Sequence, residues 1–146
     1  MIQQKNRPKR GDSDLPVKIV LYNSENDTIL AGPTPAFVHD LSYYGAGLLL
    51  KKVFFPPHHL FYSPRDNTGQ ILCIEKKRNG SERDIIVPVN PVWMRLDEGD
   101  TPGYFRMGVE FMTDPEDIDV IDLEKMSLAS FDSNEDLLTK LVNLFH

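Results

Sequence analysis

Alternation of hydrophobic and polar residues is the dominant pattern between residues 16 and 112. In the first such stretch Val17, Ile19 and Leu21 fall on one face, as in a strand with one buried side. Turns rich in Gly, Pro, Asn and Asp separate the stretches, and the Asn79-Gly80 pair is a strong hairpin signal. The stretches predicted as extended are residues 16–22, 28–30 leading into 36–39, 46–53, 59–62, 70–77, 85–89 continuing through 92–96, and 104–112. Six or seven short strands with turns at this spacing predict an all-β antiparallel barrel or sandwich.

Helix signals replace the alternation after residue 113. Asp114-Pro115 predicts a helix start, with Asp at the N-cap, Pro at the first helical position and Asp117 completing a capping interaction. A cleaner capping box follows at Ser133–Asp136. The apolar residues behind it recur at helical spacing; they are Leu137, Leu138, Leu141, Val142 and Phe145. This pattern predicts a helix docked on the barrel, with a partner-binding helix as the alternative.

Length and composition predict a single domain with three parts. A chain of 146 residues, 40% hydrophobic and 26% charged, is long enough to bury one core. We divide it into a basic N-terminal arm and linker at residues 1–15, a barrel at 16–113 and a helical segment at 114–146. A single cysteine, Cys73, excludes an internal disulfide and agrees with a reducing compartment. No apolar run approaches the roughly 18 residues of a membrane span and no secretory signal is present, so we expect a cytoplasmic protein without membrane insertion.

The net charge of −6 is unevenly distributed. Residues 97–136 hold thirteen of the 22 acids, whereas residues 1–10 hold four bases and no acid. The acidic balance argues against a general nucleic-acid binder, which needs a broad basic face. The basic arm could hold one compact anion, or it could be a solubilising tail.

The stretch Asp40-Leu-Ser-Tyr-Tyr-Gly-Ala-Gly-Leu-Leu-Leu50 is the most informative segment of the chain. Asp40 and Ser42 share one face of an extended chain, and Gly45 and Gly47 allow a sharp turn or a close approach by a ligand. Asp40, Ser42 and Gly45 resemble the D-x-S-x-x-G motif of PilZ domains. Alternatively, the side chains of Asp40 and Ser42 only accept hydrogen bonds from turn amides, and Gly45 and Gly47 only allow the chain to bend at a barrel corner.

Two later strands extend the resemblance to the PilZ family across roughly residues 7–112. Val92-Trp93-Met94-Arg95 is similar to the family's V-x-W-like strand, and Tyr104–Phe111 is similar to its closing G-V-x-F strand. The resemblance implies a bacterial protein with a six-stranded antiparallel PilZ-like barrel followed by a C-terminal helix or helices. It also implies the bacterial second messenger cyclic di-GMP as the ligand.

The implied cyclic di-GMP site consists of Arg7, Arg10, Asp40, Ser42 and Gly45. Arginine forks suit both phosphate oxygens and the O6/N7 edge of guanine, and Asp40 can accept from the Watson–Crick edge of a guanine. The family's arm motif is R-x-x-x-R, whereas Arg7 and Arg10 here are three apart and form R-x-x-R.

The resemblance therefore predicts a cyclic di-GMP effector or adaptor. Ordering of its N-terminal arm would signal to a downstream protein whose identity the sequence does not give. The alternative is a degenerate PilZ barrel that no longer binds the nucleotide and acts as a protein-interaction module.

No pattern in the chain predicts catalysis, a cofactor or a metal ion. There is no nucleophile elbow, Walker loop or calcium loop, and His58-His59 has no neighbour at ligand spacing. Cys73 lies in an apolar stretch and is expected to be a buried, inert thiol. Trp93 and Tyr104 are expected in the core, and His39 is expected to be an ordinary strand residue.

Overall fold

The computed structural model of the protein describes residues 14–80 and 83–129. Arg7 and Arg10 of the arm lie outside the described residues, as do the capping box at Ser133–Asp136 and the apolar stripe behind it. The elements are β1 Leu15–Asn23, β2 Ile29–Leu41, β3 Gly45–Leu50, β4 Phe54–Phe55, β5 His58–His59, α1 Tyr62–Asp66, β6 Gln70–Lys76, β7 Ile85–Leu96, β8 Phe105–Phe111 and a helix, α2, at 118–129.

Six of the strands form a closed barrel in the order β1-β2-β3-β8-β7-β6. Every neighbouring pair is antiparallel, and β6 joins β7 through the Asn79-Gly80 turn, where Gly80 has a φ of +83°. A positive φ of this size favours glycine, which explains the residue at that position. The predicted six-stranded antiparallel barrel with a helix after it is confirmed.

The core fills the barrel and is closed at both ends by connecting segments. Val53, Leu60 and Phe61, which link β3 to β6, belong to the same buried cluster as the inward residues of the strands. Val120 and Leu123 of α2, which follows β8, belong to it as well. Because these two segments leave the barrel from opposite strand ends, one end is covered by residues 53–61 and the other by α2.

A buried carboxylate fixes α2 to the barrel. Asp119 accepts hydrogen bonds from Arg78 Nη2 at 2.6 Å, from Arg83 Nη1 at 2.9 Å and from the backbone N–H of Ile86 at 3.2 Å. Burial acts to raise the pKa of Asp119, but the hydrogen bonds from Arg83 and Arg78 together bring it below its usual range. The helix is therefore held against the β6–β7 hairpin by charge as well as by its apolar face.

Several predicted boundaries are corrected. The pieces at 28–30 and 36–39 are one thirteen-residue strand, β2. The predicted strand at 59–62 is instead the end of the two-residue strand β5 and the start of α1. Helix α2 begins at residue 118 rather than at Asp114. The backbone carbonyl of Asp114 accepts the N–H of Asp117 and closes a separate turn. The carboxylate of Asp117 accepts the N–H of Asp119 in the first turn of the helix. Asp117 is thus the N-cap of α2.

Candidate ligand-binding pocket on the barrel wall

One row of paired residues crosses four strands on the outer face of the barrel. Asp40 on β2 pairs with Gly47 on β3, Gly47 pairs with Gly108 on β8, and Gly108 pairs with Trp93 on β7. Neighbouring strands lie about 4.8 Å apart, so the Cα atoms of Asp40 and Trp93 are separated by roughly 14 Å. The row therefore places a carboxylate and an indole on either side of two residues that have no side chain.

The side chains of Asp40 and Trp93 occupy the space that a Cβ would take at the two glycines. A Cβ on Gly47 would stand 2.6 Å from Oδ1 of Asp40. A Cβ on Gly108 would stand 2.8 Å from Cδ1 of Trp93 and closer still to Nε1 of its ring. Both side chains therefore lean over the glycines and toward each other, and the glycines form the floor of a pocket between them.

Two β-bulges give the side chains of this row their direction. The pairing of β2 with β3 skips a residue between Val38 and Asp40, and the pairing of β7 with β8 skips one between Pro91 and Trp93. A bulge shifts the alternation of inward and outward side chains by one position. As a result, Val38 and Pro91 are buried, while Asp40 and Trp93 face outward.

The pocket has a volume of about 440 Å³ and brings together three of the five predicted site residues. Asp40, Ser42 and Gly45 all line it. Arg7 and Arg10 belong to the arm outside the described residues, so their place relative to the pocket stays a prediction.

Ser42 and Gly45 have structural roles in the turn between β2 and β3. The Ser42 hydroxyl accepts the backbone N–H of Gly45 at 3.2 Å, and the backbone N–H of Ser42 donates to the carbonyl of Gly45 at 2.9 Å. A Cβ on Gly45 would collide with the backbone carbonyl of Val109 on β8. The close approach of two strands is therefore sufficient reason for a glycine at position 45, and the open floor of the pocket is supplied by Gly47 and Gly108.

Trp93 corrects an expectation from the sequence. It is 44% exposed and lines the pocket, whereas the sequence predicted a core residue. Strict alternation from Val87 and Val89 would have directed Trp93 inward, and the bulge at Val92 reverses this. Tyr104 is half-buried.

Sequence reasoning also missed Gly108 and Tyr44 as lining residues. Tyr44 is 54% exposed and presents a second aromatic surface to the pocket. Its ring packs edge-on against that of Tyr43, with the two ring centroids 5.0 Å apart. A glycine inside the apolar alternation of residues 105–111 was the available signal for Gly108, since such a residue often marks a close approach.

The charged groups around the pocket are mainly acidic. Asp40 and Glu110 line it, and among the described lining residues there is no Lys or Arg. Beside Asp40, His39 Nδ1 lies 2.7 Å from Oδ1 of Asp14, and burial raises the pKa of Asp14 above its usual range despite the hydrogen bond from His39. His39, expected to be an ordinary strand residue, thus holds the segment through which the arm joins β1.

No grouping of three or more His, Cys, Asp or Glu side chains suited to a metal ion occurs within residues 14–80 and 83–129. Within the same residues, no helix has the length and apolar character needed to span a membrane.

No protein-family model matches the chain, and no curated protein sequence matches it either. Among solved structures, the crystal structure of the Borreliella burgdorferi PlzA protein in complex with c-di-GMP aligns with a TM-score of 0.45 and 9% identity. The alignment covers 84% of this chain and 47% of that chain, so this chain spans about half the length of the PlzA protein.

Proposed function

We propose that this protein is a PilZ-like effector that binds cyclic di-GMP in the pocket between Asp40 and Trp93. The single observation that carries the proposal is the glycine-floored row, because it leaves a flat indole and a carboxylate facing one open space. A planar guanine can stack on the exposed indole with a gain of about 1–3 kcal/mol. Asp40 can accept hydrogen bonds from the Watson–Crick edge of the same base or its partner.

The arm supplies the positive charge in this proposal. Arg7 and Arg10 contact the phosphodiesters and the guanine O6/N7 edges, for which guanidinium forks are suited. His39 and Asp14 support this assignment, since their 2.7 Å contact holds the root of the arm one residue from Asp40. Ligand binding then fixes residues 1–13 against the barrel, and a downstream protein reads the surface so formed.

The lone tryptophan of the chain provides a direct test, because all indole emission comes from Trp93. We expect cyclic di-GMP to quench this emission and to release heat in a calorimetric titration. Arg10→Ala and Asp40→Ala should each weaken binding by a factor of about 5 to 150, the equivalent of 1–3 kcal/mol. Lys51→Ala is the matched control, since Lys51 is exposed and directly follows β3, at the opposite end of that strand from the β2–β3 turn.

Absence of both heat and quenching at about 100 μM ligand would refute the nucleotide-binding proposal, since a micromolar sensor is largely occupied at that concentration. Binding that survives Arg10→Ala unchanged would instead refute the role given to the arm.

The second candidate is a barrel that acts as an interaction module without a ligand. It is favoured by the turn contacts of Ser42 and the strand contact of Gly45, which account for two of the three motif residues without a nucleotide. This candidate predicts a folded protein with no response to cyclic di-GMP and with a partner that binds equally well in its presence and absence.

A further inference from the structure

Arg95 does not itself line the pocket but contacts Trp93, which does, and this is an unusual environment for a surface arginine. Its guanidinium carbon is 5.3 Å from the centroid of the Trp93 ring, within the range of a cation–π contact. Arg95 is exposed, and no carboxylate of the described residues forms an ion pair with it. Its guanidinium therefore contacts the indole and forms no ion pair with an acid within residues 14–80 and 83–129.

The strand geometry explains why Arg95 faces the same way as Trp93. The two residues are two apart on β7 after the bulge, so both point to the outer face. Arg95 pairs across the strands with Arg106, but Arg106 Nε donates to Oδ1 of Asp97 at 2.8 Å and is engaged there. Of these two neighbouring arginines, Arg95 alone has a guanidinium turned to the indole.

The chemistry of the proposed ligand requires cations that the lining of the pocket does not supply. Cyclic di-GMP carries two phosphodiester charges, while the described lining contains the carboxylates of Asp40 and Glu110. The arm contributes Arg7 and Arg10 at a spacing one residue shorter than the R-x-x-x-R pattern. A guanidinium beside the stacking surface would add a third cation to the two that the proposed function assigns to the arm.

We propose that Arg95 is a nucleotide-binding residue that contacts a phosphodiester of the ligand whose guanine lies on Trp93. The inference rests on the proposed function and goes further by moving part of the phosphate recognition from the arm to the barrel wall. An arginine already stacked on an aromatic ring is preorganised, so less side-chain freedom is lost when it binds an anion.

The test compares wild type with Arg95→Ala, Arg95→Lys and the control Lys51→Ala in titrations with cyclic di-GMP at several salt concentrations. We expect Arg95→Ala to bind about 5 to 150 times more weakly and with a flatter salt dependence, because one charged contact is gone. Arg95→Lys should fall between Arg95→Ala and wild type, since lysine keeps the charge without the fork. Lys51→Ala should bind like wild type. All variants should show wild-type urea midpoints, because both side chains are exposed.

The possible failures are distinguishable. If wild type does not bind cyclic di-GMP, the proposed function and this inference both fail. If wild type binds and Arg95→Ala matches it within about twofold, only the inference fails, since a direct charged contact is worth more than that. If Arg95→Ala binds weakly but keeps the wild-type salt dependence and shows a shifted indole emission without ligand, Arg95 only orients Trp93, and the direct contact is refuted.

Discussion

Gly108→Ala is the sharpest test of the pocket, because it places one methyl group under the indole of Trp93. The new Cβ would lie 2.8 Å from Cδ1 of the ring, and nearer still to Nε1, whereas ordinary carbon–carbon contact is about 3.5–4.0 Å. The indole must therefore move by about 1 Å or more. The φ of Gly108 lies outside the positive range, so alanine is compatible with the backbone, and the clash is relieved by movement of the Trp93 ring.

The stability change should be small although the local change is large. Displacing a packed ring costs about 1–3 kcal/mol when the ring is buried, and Trp93, at 44% exposed, can move toward solvent at the low end of that range. Replacing a glycine also removes freedom from the unfolded chain, which offsets about 0.4–1 kcal/mol. We expect the free energy of unfolding to fall by no more than about 1 kcal/mol.

The assay is Trp93 emission combined with urea denaturation. Gly108→Ala should shift the emission maximum to longer wavelength and increase quenching by acrylamide, because the ring becomes more exposed. Cyclic di-GMP, if bound as proposed, should bind at least about tenfold more weakly, the equivalent of 1.4 kcal/mol. Gly69→Ala is the matched control, since a Cβ there meets no atom within 4 Å. An emission spectrum identical to wild type in Gly108→Ala would show that the indole does not lie over this glycine.

Three further predictions concern the barrel and its helix. The hydrogen bond from Arg106 holds the pKa of Asp97 well below its ordinary value of 3.8, so ionised Asp97 stabilises the fold above about pH 4 and this contribution is lost as the pH falls further. Urea midpoints between about pH 5 and about pH 2 should therefore fall more steeply in wild type than in Asp97→Asn, and equal slopes would contradict the assignment. Asp119→Ala should lower the free energy of unfolding by about 2–3 kcal/mol, because Arg83 and the backbone N–H of Ile86 lose their carboxylate acceptor and Arg78 loses one of its carboxylate partners while keeping Asp122. The more exposed Asp122→Ala should cost less than about 1 kcal/mol, and equal losses in urea denaturation would contradict the role given to Asp119. Burial raises the pKa of Cys73 to about 12, so a thiol reagent at pH 8 should modify it rapidly in urea but only slowly in the native protein, and rapid native modification would show that the thiol is accessible.

The barrel could be predicted from the sequence because most of its strands follow local rules. In β1 the alternation is unbroken from Leu15 to Ile19, and the β6–β7 hairpin carries a turn signal of its own at Asn79-Gly80. The short helix α1 could not be predicted, since its N-cap position has no side-chain hydrogen bond. It depends on the tertiary packing of Leu60 and Phe61 just before it.

Part of the candidate site could be predicted from the sequence and part could not. Asp40, Ser42 and Gly45 are near neighbours in the chain, so a local motif revealed them together. Trp93 and Gly108 meet only through the register of β7 with β8, and a bulge decides which way the tryptophan faces. A bulge depends on how two distant strands pair, and alternation within one strand carries no record of it.

The closed barrel has a consequence for how ligand preference can change. The pocket lies on a wall without a free edge, where most strand amides and carbonyls are used in pairing, the bulge residues His39 and Val92 excepted. A molecule in the pocket would therefore be recognised mainly by side chains, which project from strands whose backbone hydrogen bonds do not depend on them. We expect that exchanging Asp40 or Trp93 alters what is bound and leaves the barrel intact, so that affinity and stability can vary independently in this protein.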